Sequence, residues 1–393
     1  MALDWIPMNQ PLERLQAHCP HASRAVADAQ WVDCPTQYAQ LVQTLSAADW
    51  LGMDTEFVRE RTFYPKPGLV QLSDGHVVWL VDVVTLSDHA PLATLIARPS
   101  GHQVLHSVGE DLEIFKLLTG QCPQHLFDTQ LAAAMLGLGL QTRYEHLIEQ
   151  VFGDSLPGGQ ARSNWCQRPL STRLLSYAAQ DVIYLPALAD VLATALEKHN
   201  RLSWLHEDCA RLVAQKERSW TADPLLRIKG VGRLPRQAMA YVSELAQWRE
   251  EQAKARNLPR SFVLKDDVLC SLGLMAHRSG VDAAIDAHQS ALGRWVTPCV
   301  EALASADPDG FEVPVALLGL NTEQRQTLKQ WQGRIAALAQ SLNVEPALIA
   351  SKRELSRVLM GDRPEWMDGW RGPLVQDALG EEIHCSFSVA KPR

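Results

Sequence analysis

Trp50-Leu-Gly-Met-Asp-Thr-Glu-Phe57, WLGMDTEF, is an apolar run that ends in two acids. Its apolar start between polar flanks reads as a buried strand of an α/β domain. Asp54 and Glu56 are two residues apart, so on a strand both side chains leave the same face. Two further acidic segments follow. Asp111, in HSVGEDLEIF, comes after a short apolar strand, Gln103 to His106, and opens the helical pattern Leu112 to Leu118. Tyr177-Ala-Ala-Gln-Asp181, in SYAAQDVIYL, lies in a helical stretch, where a spacing of four stacks Tyr177 and Asp181 on one face. Acids set in apolar segments are costly to hold together unless a cation neutralises them. A dinuclear Mg²⁺ site would do that.

The chain has 393 residues, 46% hydrophobic and 21% charged, which suits a soluble globular protein of two or three domains. No uninterrupted apolar run approaches the ~18 residues that span a bilayer, so no membrane association is expected. The start, MALDWIPMNQPLERL, has neither the basic nor the apolar region of a secretory signal. Eight scattered cysteines without C-x-x-C pairs argue against a zinc site and a disulfide framework, and a reducing cytoplasm is the natural setting. The net charge of −8 does not exclude a nucleic-acid partner, because local charge decides. Over 211–260 eleven basic residues face five acids, and Lys229, Arg233 and Arg236 are candidates to contact phosphates there.

Residues 1–29 show no clear period and read as an N-terminal extension, packed through Trp5 or Ile6. From 30 to 205 strands and helices alternate. Strands are expected at Gln30–Asp33, Trp50–Phe57, Leu69–Ser73, Val77–Val81 and Gln103–His106. Asp74-Gly75 marks a hairpin turn between two of them, and Thr172–His199 reads as one long helix. A mixed sheet flanked by helices follows. Beyond about 205 strand signals vanish. Two small all-α domains, 211–295 and 298–372, and a tail, 373–393, are the simplest account.

The three acidic segments resemble the sequence motifs of the DEDD 3′–5′ exonucleases, in the subclass with tyrosine in the third motif. DTEFVRERTFYPKPGLVQLS, LFDTQLAAAMLG and NWCQRPLSTRLLSYAAQDVIYL are similar to bacterial ribonuclease D. LLRIKGVGRLPRQAMAYVSELAQWREEQAKARNLPRSFVLKDDVL resembles an HRDC domain, and 298–372 a degenerate second copy. The resemblance implies a ribonuclease H-like exonuclease domain followed by two HRDC-like domains. It implies a hydrolase that removes 3′-terminal nucleotides as 5′-monophosphates, with two Mg²⁺ ions for which Mn²⁺ can substitute. It also implies tRNA precursors with single-stranded 3′ tails as partners, and no obligate protein partner is evident. On this reading Asp54, Glu56 and Asp181 hold one ion, Asp54 bridges, Asp111 anchors the second, and Tyr177 orients the attacking water.

Around that set Phe57 and Tyr64 are candidates to stack terminal bases. Arg59 is a candidate for phosphate and His106 for substrate, although a histidine at a strand end commonly serves as a structural hydrogen-bonder. Asp128 suits a helix cap. The chain departs from the family before Trp165: Leu156-Pro-Gly-Gly-Gln160 and Asn164 stand where relatives carry a lysine and acidic residues. Two rival functions share the residues. A DNA 3′–5′ exonuclease keeps the chemistry; a catalytically inactive nucleic-acid-binding protein would not need all four acids.

Overall fold

A computed structural model describes residues 19–160, 162–219, 222–380 and 383. Trp5 and Ile6 lie outside the described residues. Six strands form one mixed sheet: β1 (Gln30–Val32), β2 (Trp50–Val58), β3 (Lys66–Ser73), β4 (Val78–Val81), β5 (His102–Leu105) and β6 (Leu126–Asp128). Their order is β1-β4-β3-β2-β5-β6. The β2–β3–β4 pairs are antiparallel, while β1, β5 and β6 join in parallel. Strand β2, which carries Asp54 and Glu56, is therefore central, with neighbours on both edges satisfying its backbone.

Flanking helices are α1 (Ala22–Ala27), α2 (Pro35–Leu45), α3 (Ala90–Ile96), α4 (Asp111–Thr119), α5 (Thr129–Met135), α6 (Tyr144–Phe152), α7 (Thr172–Ile183), α8 (Leu185–Lys198) and α9 (Leu202–Ser219). The expected single helix over 172–199 is two, α7 and α8, meeting at Tyr184. Pro186 sits in the first turn of α8, where its missing N–H leaves no bond broken. By length and composition the Thr172–Lys198 stretch is apolar enough to cross a membrane, but most of it is buried in the protein, packed on β2, β3, β4 and β5. The expected extension to residue 29 includes α1, whose Ala22 and Ala25 are buried in the sheet's core and which packs on α7.

The C-terminal half is helical. One core, Leu225 to Leu303, is built by α10 (Arg236–Arg256), α11 (Arg260–Val263), α12 (Asp266–Ser279), α13 (Val281–Leu292) and α14 (Val296–Ala304). A second, Leu328 to Ile383, is built by α15 (Thr322–Leu342), α16 (Pro346–Ile349), α17 (Lys352–Leu359) and α18 (Arg371–Leu379). Helix α14 thus belongs to the first helical core, and the expected tail from 373 begins with α18, whose Val375 and Leu379 are buried.

Both helical bodies return to the sheet domain. Asn257 Oδ1, at the end of α10, accepts from the backbone N–H groups of Phe63 and Tyr64, each at 3.0 Å. At the other end the Trp204 and Trp370 rings stack at 4.2 Å, and the buried Arg371 pairs with Asp208 at 2.5 Å. The loop after β2 is therefore anchored by a distant part of the chain.

Candidate active site

The site forms where β2, the start of α4 and the face of α7 converge. Asp54 and Glu56 project from β2 on one side, as their spacing requires. A register shift between Glu56 and Phe57 twists the strand just past the second acid. Opposite the shift, Gly68 of β3 lies against the backbone of Trp165, and a Cβ there would come 2.5 Å from the Trp165 carbonyl oxygen. Arg168 secures that approach. Its guanidinium donates to Asp82 at 2.6 and 2.9 Å, to the Gly68 carbonyl at 2.6 Å and to the Trp165 carbonyl at 2.9 Å.

Gly52 does the equivalent for α7 and α8. A Cβ at Gly52 would lie 2.8 Å from the Val182 carbonyl oxygen and 3.0 Å from both Leu185 and Pro186. Without that methyl, the helices close on β2 two residues before Asp54 and one residue after Asp181. Oxygens of Asp54, Glu56 and Asp181 consequently lie within 4.8 Å of one another. Asp111 stands beside this trio, and its Oδ1 accepts from the Thr55 hydroxyl at 2.5 Å. Gln71, paired with Asp54 across the sheet, donates to Asp54 Oδ2 at 3.3 Å.

The electrostatics follow from burial. Desolvation, and then the charges of Asp111, Asp181 and Glu56, hold the Asp54 carboxyl well above the usual carboxylate range. Burial, with Asp181 and Asp111, pushes Glu56 up to about 9. Burial raises Asp111 to about 6 against the Thr55 hydrogen bond. Asp181 is raised by burial and then by Glu145, while a bond donated by the Tyr177 hydroxyl partly offsets this. Burial followed by the nearby acids pushes the Tyr177 phenol up as well, so it remains protonated and able to donate. Four carboxyls so placed cannot all ionise without a counter-charge. Clustered hard oxygen donors fit a divalent cation such as Mg²⁺ or Mn²⁺.

The surrounding cleft, about 730 Å³, is lined by these residues and by Phe57, Arg59, His106, Tyr144, Glu145 and Arg162. Phe57 and Arg59 thus reach the cleft, and Arg59 pairs with Glu113 at 2.8 Å. His106 lines it too, but its Nδ1 is 2.9 Å from the Thr129 hydroxyl and its Nε2 3.0 Å from the Thr142 carbonyl oxygen, so both nitrogens are engaged within the fold. Tyr64 lies outside the lining, packed edge-on against Phe63. Asp128 caps α5 and also accepts from Ser107 and Val108, holding Ser107 at a φ of 59° beside Asp111. Lys229 and Arg233 are exposed on the first helical body. Arg236 is committed to the carbonyls of Phe311, at 2.6 Å, and Asp309.

Glu145 and Arg162 were not singled out in the sequence. An acid in the first turn of α6 reads as a complement to the helix dipole. Arg162 sits in a segment without periodicity. Only the tertiary structure turns both into the cleft.

Residues 29–197 match the family model of 3′-5′ exonucleases. Ribonuclease D of Pseudomonas paraeruginosa is 36% identical over 369 residues, covering 90% of this chain and 96% of that protein. The chain belongs to the ribonuclease D family. It is accordingly a hydrolytic 3′–5′ exoribonuclease. Ribonuclease D of Escherichia coli is 30% identical over 355 residues, covering 87% of this chain and 94% of that one. The crystal structure of Escherichia coli RNase D, described as an exoribonuclease involved in structured RNA processing, matches with a TM-score of 0.77 at 28% identity. It covers 93% of this chain and 100% of that chain. A protein from Bifidobacterium adolescentis shares the fold, with a TM-score of 0.65 at 18% identity over 90% of this chain and 97% of that one.

Proposed function

We propose that this member of the ribonuclease D family trims single-stranded 3′ tails, releasing nucleoside 5′-monophosphates by a two-metal-ion mechanism, and that tRNA precursors in the cytoplasm are its substrates. The observation that carries the chemistry is the trio Asp54, Glu56 and Asp181, with oxygens within 4.8 Å in a buried setting. Those three residues would hold one Mg²⁺, and Asp54 with Asp111 a second, with Mn²⁺ as a substitute. Bound cations supply charge neutralisation at the phosphate and a more acidic water.

The chain's own residues govern the remainder. In hydrolysis the water oxygen bonds to the terminal phosphorus, the bond from phosphorus to the 3′ oxygen breaks, and that oxygen takes up a proton. Tyr177, kept protonated by burial, orients the water as a donor and is no base at neutral pH. Phe57 offers the terminal base an apolar face at the edge of the cleft. The HRDC-like helical bodies would hold the folded part of the RNA while its tail enters.

A paired terminus must first be unstacked, at a cost of a few kcal/mol. The test is a 5′-labelled hairpin RNA with a 3′ overhang, run beside its DNA counterpart with Mg²⁺. Shortening of the RNA to a product ending near the stem is expected. Digestion through the stem at the overhang's rate would overturn the single-strand reading, and equal turnover of DNA would favour the DNA exonuclease.

A further inference from the structure

A second cavity, about 620 Å³, opens in the first helical body. Five cationic side chains line it, Arg227, Lys229, Arg249, Arg260 and Lys265, against the acids Asp266 and Asp267. Nearby, one buried carboxylate serves three cations. Glu250 lies 2.5 Å from Arg260, 3.2 Å from Arg227 and 3.7 Å from Lys254. Arg249 is 3% exposed, and its Nη1 donates to the Leu264 carbonyl and to Asp266. Its Nε, also buried, has no acceptor among the described residues. Lys265 precedes the first turn of the 14-residue helix α12, whose N-terminus has no side-chain cap among the described residues. The exposed side chains of Lys229 and Lys265 have no ion-pair partner among the described residues. A cavity lined by five cations and two acids, with two exposed lysines outside any ion pair among the described residues, calls for an anion.

The rim of the cavity adds a different signal. Phe262, beside the lining residue Ser261, is 57% exposed, and Leu226, beside Arg227, is 40% exposed. An exposed aromatic next to a basic cavity suits a single-stranded nucleic acid, with phosphate in the cavity and a base on the ring. The location ties the cavity to the cleft. Arg260 lines the cavity and covers the Phe63 ring at 4.5 Å. Phe63 belongs to the loop whose Arg59 and Glu60 line the catalytic cleft, and Asn257 anchors that loop. The same loop therefore lines the cleft and touches a lining residue of the cavity.

We infer that this cavity is a second RNA site, in which Lys229 and Lys265 hold a backbone phosphate of the strand upstream of the 3′ end while Phe262 stacks one of its bases. The site rests on the exoribonuclease reading, because it takes the same strand that the cleft shortens.

The test uses the full chain. Binding of a fluorescent single-stranded RNA of roughly 12 nucleotides is measured by anisotropy in an Asp54→Asn background that blocks turnover. Phe262→Ala is expected to weaken binding about tenfold, and Phe262→Trp to restore it. Lys229→Gln with Lys265→Gln is expected to flatten the salt dependence by about 0.7 in log–log slope for each phosphate that is no longer neutralised. The same substitutions in the otherwise unaltered enzyme should leave hydrolysis of a dinucleotide unchanged, since it reaches only the cleft. Unchanged RNA affinity and salt slope would overturn the site and leave the patch to a protein partner. Parallel loss of dinucleotide hydrolysis would also overturn it, as the effect would then belong to the fold. If the unaltered enzyme fails on the dinucleotide, the catalytic reading falls, while the binding measurements still judge the cavity.

Discussion

Gly52→Ala is the smallest change that should separate the two halves of the active site. The added Cβ would stand 2.8 Å from the Val182 carbonyl oxygen and 3.0 Å from Leu185 and Pro186. The first of these is helix backbone, which cannot rotate aside, so α7 and α8 must lift from β2. Overpacking of this kind costs about 1–3 kcal/mol. At roughly 3 °C per kcal/mol, the sheet domain should melt about 3–9 °C lower. The catalytic effect should exceed the effect on stability. The displaced helix carries Tyr177 and Asp181 away from Asp54 and Glu56, and a misplacement of ~1 Å can cost about 10²-fold in rate. Gly109→Ala is the matched control, because a Cβ there meets nothing within 4 Å although the residue also neighbours the cleft. Melting curves and single-turnover hydrolysis of labelled RNA measure both effects. If Gly52→Ala melts and turns over like Gly109→Ala, the close helix–strand approach does not set the geometry of the acids.

Three further outcomes are expected. Glu56 at about 9 and Asp111 at about 6 bind protons more tightly in the folded protein than in the unfolded chain, where carboxyls titrate near ~4. The metal-free fold therefore carries extra protons from about pH 4 to 9 and loses stability as pH rises through that window. Its melting temperature should be lower at pH 8.5 than at pH 5.5, and Mg²⁺ should raise it more at the higher pH; a metal-free melting point that climbs across the window would contradict this. Tyr177→Phe should lower kcat strongly and leave RNA affinity nearly unchanged, whereas lost affinity at constant kcat would make Tyr177 a binding residue. Glu145→Gln removes a negative charge that acts on Asp181. A loss of about 1 kcal/mol of attraction should raise the half-saturating Mg²⁺ concentration about fivefold, and calorimetric titration with Mn²⁺ should move in parallel; unchanged cation binding would count Glu145 as a wall of the cleft only.

Much of the site was legible because it depends on local periodicity. The two-residue spacing of Asp54 and Glu56 and the four-residue spacing of Tyr177 and Asp181 fix faces of a strand and a helix before any tertiary contact is known. Features created by long-range packing were not legible. Strand β6 has three residues, too few to show alternation, and exists by pairing with β5. Helix α1 buries two alanines and offers no large apolar period. The break at Tyr184 had a signal in Pro186, outweighed by the apolar rhythm on either side. Tyr64 was a candidate to stack a base, yet it lies outside the cleft lining, edge-on to Phe63, which packs against the first helical core beneath Arg260. In the basic run 211–260, Arg236, Arg249 and Arg260 are bound to carbonyls or carboxylates of the fold, and charge counting alone cannot tell those from Lys229.

The central claim is that the acids of β2, α4 and α7 are the hydrolytic site and act through bound cations. The most direct measurement is digestion of a 5′-labelled single-stranded RNA with Mg²⁺ by the unaltered enzyme and by Asp54→Asn, with folding of both followed by circular dichroism. The unaltered enzyme should yield a ladder shortened from the 3′ end, abolished by chelation. Asp54→Asn should be folded, at least as stable without metal, and inactive, because it loses the carboxylate that would be shared by both cations on the proposed mechanism while relieving repulsion. Hydrolysis at the unaltered rate by a folded Asp54→Asn protein would contradict the account.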